Sequence, residues 1–529
     1  MRLPLLAILL GLSPFAGAAE YPPELVPGPL VIVGGGALPE AARSEFLKLA
    51  GGAAKAKIVV IPTAGAAADD AKAADGFLKA WKDAGVESVT LLHTRDRKTA
   101  DDPEFCKPLA EATGIWFGGG DQHKLMEAYG GTATEKAIFA LHKRGGVIGG
   151  TSAGAAVMSE TMIAGGNPEA KTEKGFGFLP GVVVDQHFTE RKRLPRLAGV
   201  IENNPTWAGL GIDEGTALIL TQGRFFKVVG AGGVTTVLAK SPTKPALAEV
   251  QKSGAIDLFQ IRRAAHFRAM KEQFPPAKSK EANVPKGSLL IVGGGGAGPE
   301  IWKTFIELAG GPESTIVVVS TANEDPVPQD PGEAVALRKF GAKAVKILHT
   351  RDRKEADGEA FTAILKEAKG VWFTGGRHWR FVDSYEGTLS EKRFRGVLER
   401  GGVIGGSSAG ASIQAEYMPR GHPLGNTVVA AEGYERGFGY LSGCAVDQHF
   451  FARKRPADMT GLLKQYPQLL GIGIDEGTGL VVKGTTAEVI GKTKVAFFDT
   501  NSKPNEGEKD YVEVPSGGKY DLKNRKKLD

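Results

Sequence analysis

The sequence predicts an α/β protein built from two tandem copies of one domain, each a mostly parallel sheet with helices on both faces. Three observations carry this prediction. The chain has 529 residues, more than one ordinary domain of ~100–200 residues. Its motifs return once at a nearly constant offset. Within each copy, short apolar runs alternate with helical stretches, and 42% of all residues are hydrophobic, as in globular proteins.

Five motifs establish the repeat. The matching segments are Val31–Gly36 and Leu290–Gly295, Leu91–Lys98 and Ile347–Lys354, Gly145–Gly150 and Gly401–Gly406, Asp185–Phe188 and Asp447–Phe450, and Gly211–Thr216 and Gly473–Thr478. The offset between the copies drifts only between 256 and 262 residues. So long a period predicts a duplicated domain and not a solenoid of small repeats.

The first copy shows the alternation of elements. Apolar runs bounded by Gly or Pro predict buried parallel strands at Ile58–Ile61, Ser88–Leu92, Gly114–Phe117 and Val147–Gly149. Helices are predicted at Pro39–Ala50, Ala71–Ala84 and Thr134–Lys143. This order is typical of a doubly wound sheet, whose functional loops lie at the carboxyl ends of the strands.

The first 19 residues have the pattern of an export signal. Arg2 provides a positive start, Leu3–Leu12 is a short apolar run, and Ala16–Ala18 offers small residues for cleavage. The run is too short for a stable membrane span, and a buried N-terminal helix is the alternative. We therefore expect an exported protein, periplasmic or extracellular, with no membrane span in the mature chain. The predicted divisions are a signal peptide at 1–19, a first domain at 28–240, a linker at 241–286, a second domain at 287–500, and a charged, loosely ordered tail at 501–529.

Composition excludes several function classes. The net charge of +6 is small for this length, and no Lys/Arg stripe with interleaved aromatic residues accompanies it, which disfavours nucleic-acid binding. The chain has no C-x-x-C pair and no H-E-x-x-H motif, so no metal and no cofactor are expected. Cys106 and Cys444 lie one in each half, and we expect both to be passive.

A nucleophile is indicated at Ser152. The segment Gly150–Gly154 has the G-x-S-x-G pattern and follows a predicted strand, which is typical of a sharp turn that raises a serine hydroxyl at a helix N-terminus. The alternatives are a structural turn or a phosphate-binding loop. The pattern returns as Gly406–Gly410 around Ser408, which favours the nucleophile.

Such a serine needs a base, and histidine is the expected residue. His187 and His449 both lie in Val-Asp-Gln-His-Phe and are the first choice. His93 and His349, shared in His-Thr-Arg-Asp-Arg, are the second choice, whereas His123 has no counterpart in the second copy.

The acid that orients the imidazole is left open by the residues alone. Glu214 and Glu476 each follow the predicted base by 27 residues, but Asp213 and Asp475 directly precede them. The chain order of serine, histidine and acid differs from the order in α/β-hydrolases, which indicates another α/β fold.

Taken as an ordered set, these motifs resemble cyanophycinases, in the serine peptidase family S51 that also includes aspartyl dipeptidases. The matching segments are Gly118–Gln122, Gly149–Ala155, Gly177–Phe188, Arg191–Arg196 and Gly211–Glu214. The resemblance implies a flavodoxin-like fold similar to class I glutamine amidotransferases. It also implies Ser152 as nucleophile, His187 as base and Glu214 as orienting acid, with the N–H groups of Gly120 and Ala153 as the oxyanion hole.

The resemblance also implies a substrate, cyanophycin, which is a poly-aspartate with arginine on each side chain, cleaved to β-Asp-Arg dipeptides. The residues expected to bind it are Gln122, Asp185, Gln186, Arg191, Arg193 and Arg196. Guanidinium groups suit the capture of carboxylates, although a solvated charge run is the alternative for the arginines. The further alternatives are a related dipeptidase or esterase on other acidic or β-aspartyl substrates, and a non-catalytic binding protein.

The second copy departs from this pattern. It keeps Ser408, His449 and Glu476 as a candidate triad, but Asp121-Gln122 becomes Arg377-His378 and Arg196 becomes Asp458. We expect the reversed charge at Asp458 to weaken binding of an acidic substrate, so that this copy is altered in specificity or weakly active. The resemblance also suggests a homodimer, or an internal pseudo-dimer of the two copies.

Overall fold

The computed structural model describes residues 25–270, 272–501 and 509–528. Within these residues the chain forms two compact units. The first unit comprises residues up to 277 together with His422–Glu435, and the second comprises Lys278–Gly421 and the residues from Arg436 onward. The predicted export signal at 1–19 lies outside the described residues. Among the helices described, none is long and apolar enough to cross a membrane.

The first unit alternates strands and helices as the sequence predicts. Its strands are β1 (Leu30–Val33), β2 (Lys57–Ile61), β3 (Ser88–Leu91), β4 (Gly114–Phe117), β5 (Val147–Thr151), β6 (Thr161–Gly165), β7 (Lys171–Lys174), β8 (Val182–Gln186), β9 (Ala208–Ile212), β10 (Thr216–Thr221), β11 (Phe225–Gly230), β12 (Val234–Leu238), β13 (Leu247–Gln251) and β14 (Gly254–Asp257). Its α-helices are α1 (Glu40–Leu49), α2 (Ala74–Asp83), α3 (Arg97–Ala100), α4 (Pro103–Glu111), α5 (His123–Tyr129), α6 (Ala133–Lys143), α7 (Ala153–Ala156), α8 (Leu194–Asn203) and α9 (Leu258–Ala269). Short 3-10 helices lie at Ala53–Lys55 and Ala71–Ala73.

The main sheet of this unit has the strand order β14-β11-β10-β1-β5-β4-β2-β3. The five strands from β1 to β3 in that order are parallel, and β10, β11 and β14 are antiparallel. A smaller sheet has the order β13-β12-β9-β8. The predicted α/β class with mostly parallel sheets is confirmed.

Alternating side chains of the central strands fill two cores, one on each face of the main sheet. Leu30 and Ile32 of β1 pack in one core with residues of α4, α5 and α6. Val31 and Val33 pack in the other with Phe46 of α1 and Trp81 of α2. Because successive side chains of a strand point to opposite faces, a strand that is apolar throughout requires cover on both.

Two features differ from the sequence prediction. Strand β3 lies at the sheet edge and alternates exposed and half-buried residues, so it is not the buried strand expected. The stretch at 241–286, expected as a linker, also contains the strands β13 and β14, and its apolar residues Ile256, Leu258 and Ile261 join the first unit's core. The sequence predicts a helix over Ala255–Gln273 in this stretch, and α9 lies within it, but the two strands are not predicted.

The second unit repeats the arrangement. Its strands are β15 (Val284–Val292), β16 (Thr315–Val319), β17 (Ala344–Leu348), β18 (Gly370–Phe373), β19 (Val403–Ser407), β20 (Ala415–Tyr417), β21 (Leu441–Gln448), β22 (Leu470–Ile474), β23 (Thr478–Gly484), β24 (Thr486–Gly491), β25 (Lys494–Phe498), β26 (Val512–Pro515), β27 (Lys519–Asp521) and β28 (Lys526–Leu528). Its α-helices are α10 (Pro299–Leu308), α11 (Gly332–Lys339), α12 (Arg353–Ala356), α13 (Glu359–Thr362), α14 (Trp379–Tyr385), α15 (Leu389–Glu399), α16 (Ala409–Ser412) and α17 (Pro456–Gln465), with a 3-10 helix at Ala363–Lys366.

Its main sheet has the order β17-β16-β18-β19-β15-β23-β24-β27-β28, and its second sheet the order β20-β21-β22-β25-β26. The end of the chain therefore extends both sheets, in contrast to the loosely ordered tail expected. Tyr520 explains part of the difference, since its ring stacks on Phe497 with centroids 3.8 Å apart. Two buried aromatic residues order a segment whose other residues are mostly charged or polar.

Candidate active sites

The first candidate site lies where β5 ends. Ser152 follows the strand at φ 53° and ψ −110°, and α7 begins at the next residue. The turn is tight enough that a Cβ on Gly150 would lie 2.4 Å from the carbonyl oxygen of Gly154. A strained, non-glycine conformation at a strand-to-helix turn lifts the serine side chain away from the backbone, as in a nucleophile elbow.

A chain of hydrogen bonds runs from this serine to a carboxylate. Ser152 Oγ lies 2.8 Å from Nε2 of His187, and Nδ1 of His187 lies 2.5 Å from Oε1 of Glu214. An ionised carboxylate only accepts hydrogen bonds, so Nδ1 carries the proton and Nε2 of the neutral ring accepts from the serine. This tautomer can take a proton from Ser152.

The structure also distinguishes the two neighbouring acids. Asp213 accepts hydrogen bonds from the backbone N–H groups of Thr189, at 3.0 Å, and Gly233, at 2.8 Å. Its carboxylate therefore holds two loops together, while the carboxylate of Glu214 contacts the imidazole.

The glycine run after β1 seats the histidine, a role that the motif analysis missed. The N–H of His187 donates to the carbonyl of Gly34 at 2.7 Å, and the N–H of Gly215 donates to the carbonyl of Gly35 at 2.9 Å. Gly35 has φ +115°, and a Cβ there would lie 2.3 Å from Cε1 of His187. The recurrence of this run at Gly293–Gly295 was the available signal.

Replacing Gly35 by alanine should therefore displace the His187 ring. We expect the turnover of the first site to fall at least about 100-fold, because small misplacements of a catalytic group carry such costs. Gly52→Ala is the matched control: Gly52 also has a positive φ, of 89°, but a Cβ there meets nothing within 4 Å. Turnover is measured in chains that carry Ser408→Ala. Equal losses in the two variants would show that backbone strain, and not contact with the ring, is responsible.

The predicted oxyanion groups border the serine. A Cβ on Gly119 would lie 3.4 Å from Cβ of Ser152, and Gly120 has φ +137° with no room for a side chain beside the Ala64 carbonyl. Ala153 is the first residue of α7. Among the described residues, the N–H groups of Gly120 and Ala153 donate to no other group, so both remain available to an anion.

The second unit reproduces this geometry. Ser408 has φ 56° and ψ −109°, and its Oγ lies 2.9 Å from Nε2 of His449. Nδ1 of His449 lies 2.6 Å from Oε1 of Glu476. Asp475 instead accepts from the N–H groups of Phe451 and Ala452, as Asp213 does from its own neighbours.

The second-choice histidines lie elsewhere. His93 bonds Thr63 Oγ1 at 2.9 Å and Asp69 Oδ1 at 3.0 Å, and His349 bonds Thr321 Oγ1 at 3.1 Å. Both link strand ends to neighbouring loops. His187 and His449 are the histidines that the structure brings to the two serines.

The residues predicted to bind substrate fall into two groups. Arg191 is exposed, whereas Gln122, Asp185, Gln186, Arg193 and Arg196 are buried. Nε2 of Gln122 donates to the Ile163 carbonyl at 2.6 Å, so this amide already holds a neighbouring loop.

Asp185 is the centre of a buried ion cluster. It is 1% exposed and accepts from Nε of Arg196 at 2.8 Å and from a terminal nitrogen of the same guanidinium. Arg193 also contacts Asp185 and donates to the carbonyl of Gln186 at 2.6 Å. Burial lowers the pKa of Arg193 to about 10. The sequence suggested arginines open to substrate, but the structure pairs these two with Asp185, two residues before His187.

The cysteines and metal ligands complete the inventory of reactive side chains. Cys106 and Cys444 are both buried free cysteines that form no disulfide. Burial raises the pKa of the Cys444 thiol well above its ordinary value. In the described part of the chain, no group of three or more His, Cys, Asp or Glu residues is placed to hold a metal ion.

Comparison with known proteins identifies the family. The model of peptidase family S51 matches residues 30–228 and again residues 289–490. This chain belongs to peptidase family S51. Both units of this S51 peptidase are thus matched, which confirms the predicted resemblance and the tandem duplication, and the chain is a serine-type peptidase.

Two cyanophycinases agree with the family assignment of this S51 peptidase. A cyanophycinase from Geminocystis herdmanii is 34% identical over 218 residues, which are 39% of this chain and 79% of the relative. A cyanophycinase from Synechococcus elongatus is 36% identical over 232 residues, 41% of this chain and 70% of the relative. Among solved structures, a peptidase from an acI-B1 Actinobacterium is 28% identical, with a TM-score of 0.36, and the match covers 44% of this chain and 96% of that one.

Proposed function

We propose that this S51 peptidase is an exported hydrolase that degrades cyanophycin to β-Asp-Arg dipeptides, with Ser152 as nucleophile, His187 as base and Glu214 as the orienting acid. The hydrogen-bond chain of these three residues on a strained elbow carries the proposal. The substrate is supported by the names of two relatives, both cyanophycinases, of which the matches cover 79% and 70%.

The mechanism follows from the geometry. Nε2 of His187 takes the proton of Ser152 as Oγ attacks the scissile carbonyl carbon, and the carbonyl oxygen becomes an anion that the N–H groups of Gly120 and Ala153 stabilise. His187 then protonates the leaving amine, which departs and leaves an acyl-enzyme ester on Ser152. Water, deprotonated by His187, attacks this ester and releases the carboxylic acid. Glu214 stabilises the imidazolium in both steps.

Recognition of the free carboxylates of the polymer is assigned to the arginines that follow His187. Arg191 is exposed and can approach a carboxylate of the polymer directly. Arg193 and Arg196 act with Asp185 as a cluster that contains two guanidiniums and one carboxylate, and this excess of positive charge favours an anionic group nearby.

The test uses purified protein without residues 1–19 and insoluble cyanophycin, with β-Asp-Arg release followed by mass spectrometry. The wild type should release the dipeptide. The double variant Ser152→Ala, Ser408→Ala should lose about 10⁶-fold in kcat, the cost of removing a triad serine. A wild type that cleaves other β-aspartyl peptides or esters, but not cyanophycin, would support a related dipeptidase or esterase instead. Export is tested separately, by fractionating cells that produce the full chain and a chain lacking residues 1–19.

A further inference from the structure

A buried carboxylate occupies the same place in both units. Asp447, like Asp185, is 1% exposed and lies two residues before the histidine of its unit. Such a charge is very costly to bury unless cations pair with it. Arg455 supplies one cation, donating to Asp447 Oδ1 at 2.7 Å and to the Gln448 carbonyl at 2.6 Å. In these contacts Arg455 corresponds to Arg193.

The second cation comes from a different part of the chain. Position 458, which matches Arg196, is an aspartate, and the sequence alone predicts a reversed charge there. The structure differs: Arg420, which follows β20, donates from Nε to Asp447 Oδ2 at 3.1 Å and Oδ1 at 3.3 Å. The same guanidinium bonds Asp458 Oδ2 at 2.5 Å. Asp458 therefore anchors the replacement arginine.

Both units place a second guanidinium on the buried aspartate, but the arginine that carries it comes from opposite segments. In the first unit, Arg196 of α8 reaches across to the loop after β6, where it donates to the Gly166 carbonyl at 2.8 Å. In the second unit, Arg420 of the matching loop reaches back to Asp458 of α17. Each link joins the same pair of segments and leaves two guanidiniums on the buried aspartate.

A second exchange preserves another contact. Gln122 donates from Nε2 to the Ile163 carbonyl at 2.6 Å in the first unit. The corresponding residue, His378, bonds the Pro419 carbonyl through Nε2 at 3.0 Å. Burial lowers the pKa of His378 to about 4, so near neutral pH the ring is uncharged and donates as the amide does.

We infer that Ser408 is the nucleophile of a second working active site and that Arg420 is its positioning residue, in place of Arg196. The inference rests on the proposed function for the reaction class, since it assigns the same acyl transfer to the second triad. The cluster of Arg420, Arg455, Asp447 and Asp458 pairs two cations with two carboxylates, so Asp447 keeps two guanidinium partners, as Asp185 does in the first unit.

The primary test needs no peptide substrate. A chain with Ser152→Ala is treated with a fluorophosphonate, which forms a bond from phosphorus to an activated serine oxygen and expels fluoride. We expect labelling of Ser408, located by mass spectrometry, at a rate within about tenfold of Ser152 labelling in the Ser408→Ala chain. Labelling of Ser152 alone would overturn the second site. If both serines react with the fluorophosphonate but the unlabelled wild type does not hydrolyse cyanophycin, only the proposed substrate is refuted.

Arg420 is then tested in the Ser152→Ala chain. Arg420→Ala should lower the labelling rate at Ser408 at least 10-fold, and the double change Arg420→Gly, Asp458→Arg, which installs the first unit's arrangement, should restore it. Arg338→Ala, which removes an exposed arginine paired with Asp330, is the control and should leave the rate unchanged. If Arg420→Ala fails to fold, the double variant decides, because a folded double variant without labelling contradicts the positioning role. A folded Arg420→Ala chain that labels at the full rate contradicts it equally.

The pH profile gives a readout that a merely structural role would not move. Burial lowers the pKa of His449 below its ordinary value of 6.5, and the base acts only when neutral. The labelling rate at Ser408 should therefore fall only as pH drops below 6.5. The charged groups that act on His449 directly are Glu476, Arg453 and Arg455. Arg420→Ala leaves Asp447 with one guanidinium partner, and the lost positive charge favours the protonated imidazole, so the fall in rate should move to higher pH. Arg338→Ala should not move it. The assignment of Arg420 as a positioning residue is contradicted if the labelling rate of the parent chain already falls at or above pH 6.5. It is also contradicted if the fall stays at the same pH in Arg420→Ala.

Discussion

Replacing Glu214 by glutamine should lower kcat of the first site by roughly 10⁴-fold, the effect of an acid-to-amide change in a serine triad. Oε1 of Glu214 accepts from Nδ1 of His187 at 2.5 Å. A glutamine can turn its NH₂ group toward Nδ1, which favours the tautomer with the proton on Nε2. That nitrogen then cannot accept the proton of Ser152. The measurement is steady-state hydrolysis in a chain that carries Ser408→Ala.

Asp213→Asn is the matched control for this substitution. Asp213 bonds two backbone N–H groups and does not contact the imidazole. Its amide keeps one acceptor oxygen and loses the other, so we expect a loss of less than about tenfold, in line with one lost hydrogen bond of about 1 kcal/mol. If Asp213→Asn lost as much activity as Glu214→Gln, the acid would be wrongly assigned.

Asp185→Ala should produce the largest loss of stability. The substitution leaves the guanidiniums of Arg193 and Arg196 buried beside each other without their carboxylate. Removing one partner of a buried ion pair costs about 3–5 kcal/mol in the free energy of unfolding, which corresponds to roughly 10 °C in the Tm of a domain of this size. Because Asp185 lies two residues before His187, turnover at the first site should fall as well.

The loss is measured by calorimetry together with hydrogen exchange of β8 and α8, which locates the change within the first unit. Asp75→Ala removes an exposed carboxylate that pairs with Lys82 and should leave both signals unchanged. An Asp185→Ala protein with the parent's Tm and exchange rates would show that the two buried guanidiniums do not need the Asp185 carboxylate for the stability of the fold. Arg193 and Arg196 would then be better understood as substrate ligands alone.

Much of the fold could be predicted because it depends on local patterns. The apolar runs at β2, β4 and β5 agree with their predicted positions within one or two residues. Buried central strands need continuous apolar residues, and such runs can be recognised directly in the sequence. The edge strand β3 was predicted as buried because its sequence resembles a central strand, whereas exposure depends on which neighbours a strand has.

The candidate site also has a part that the sequence predicts and a part that it does not. The turn at Ser152 is local, since small residues on both sides permit it, and the repeat drew attention to His187 and His449. The neighbouring Asp213 and Glu214 could not be separated, because the choice depends on which side chain faces a histidine 26 or 27 residues away. Their direction is set by β9 and by the loop that carries Gly233, not by spacing.

The sequence by itself determined the duplicated α/β architecture, the two elbow serines and the histidines that belong with them, because strand periodicity and turn chemistry act between near neighbours. The tertiary structure alone decided which acid meets each histidine, and that Arg420 replaces Arg196. Long side chains from distant segments can satisfy the same buried charge. A position-by-position comparison therefore recorded a lost arginine at Asp458, where the folded chain holds a guanidinium from another loop.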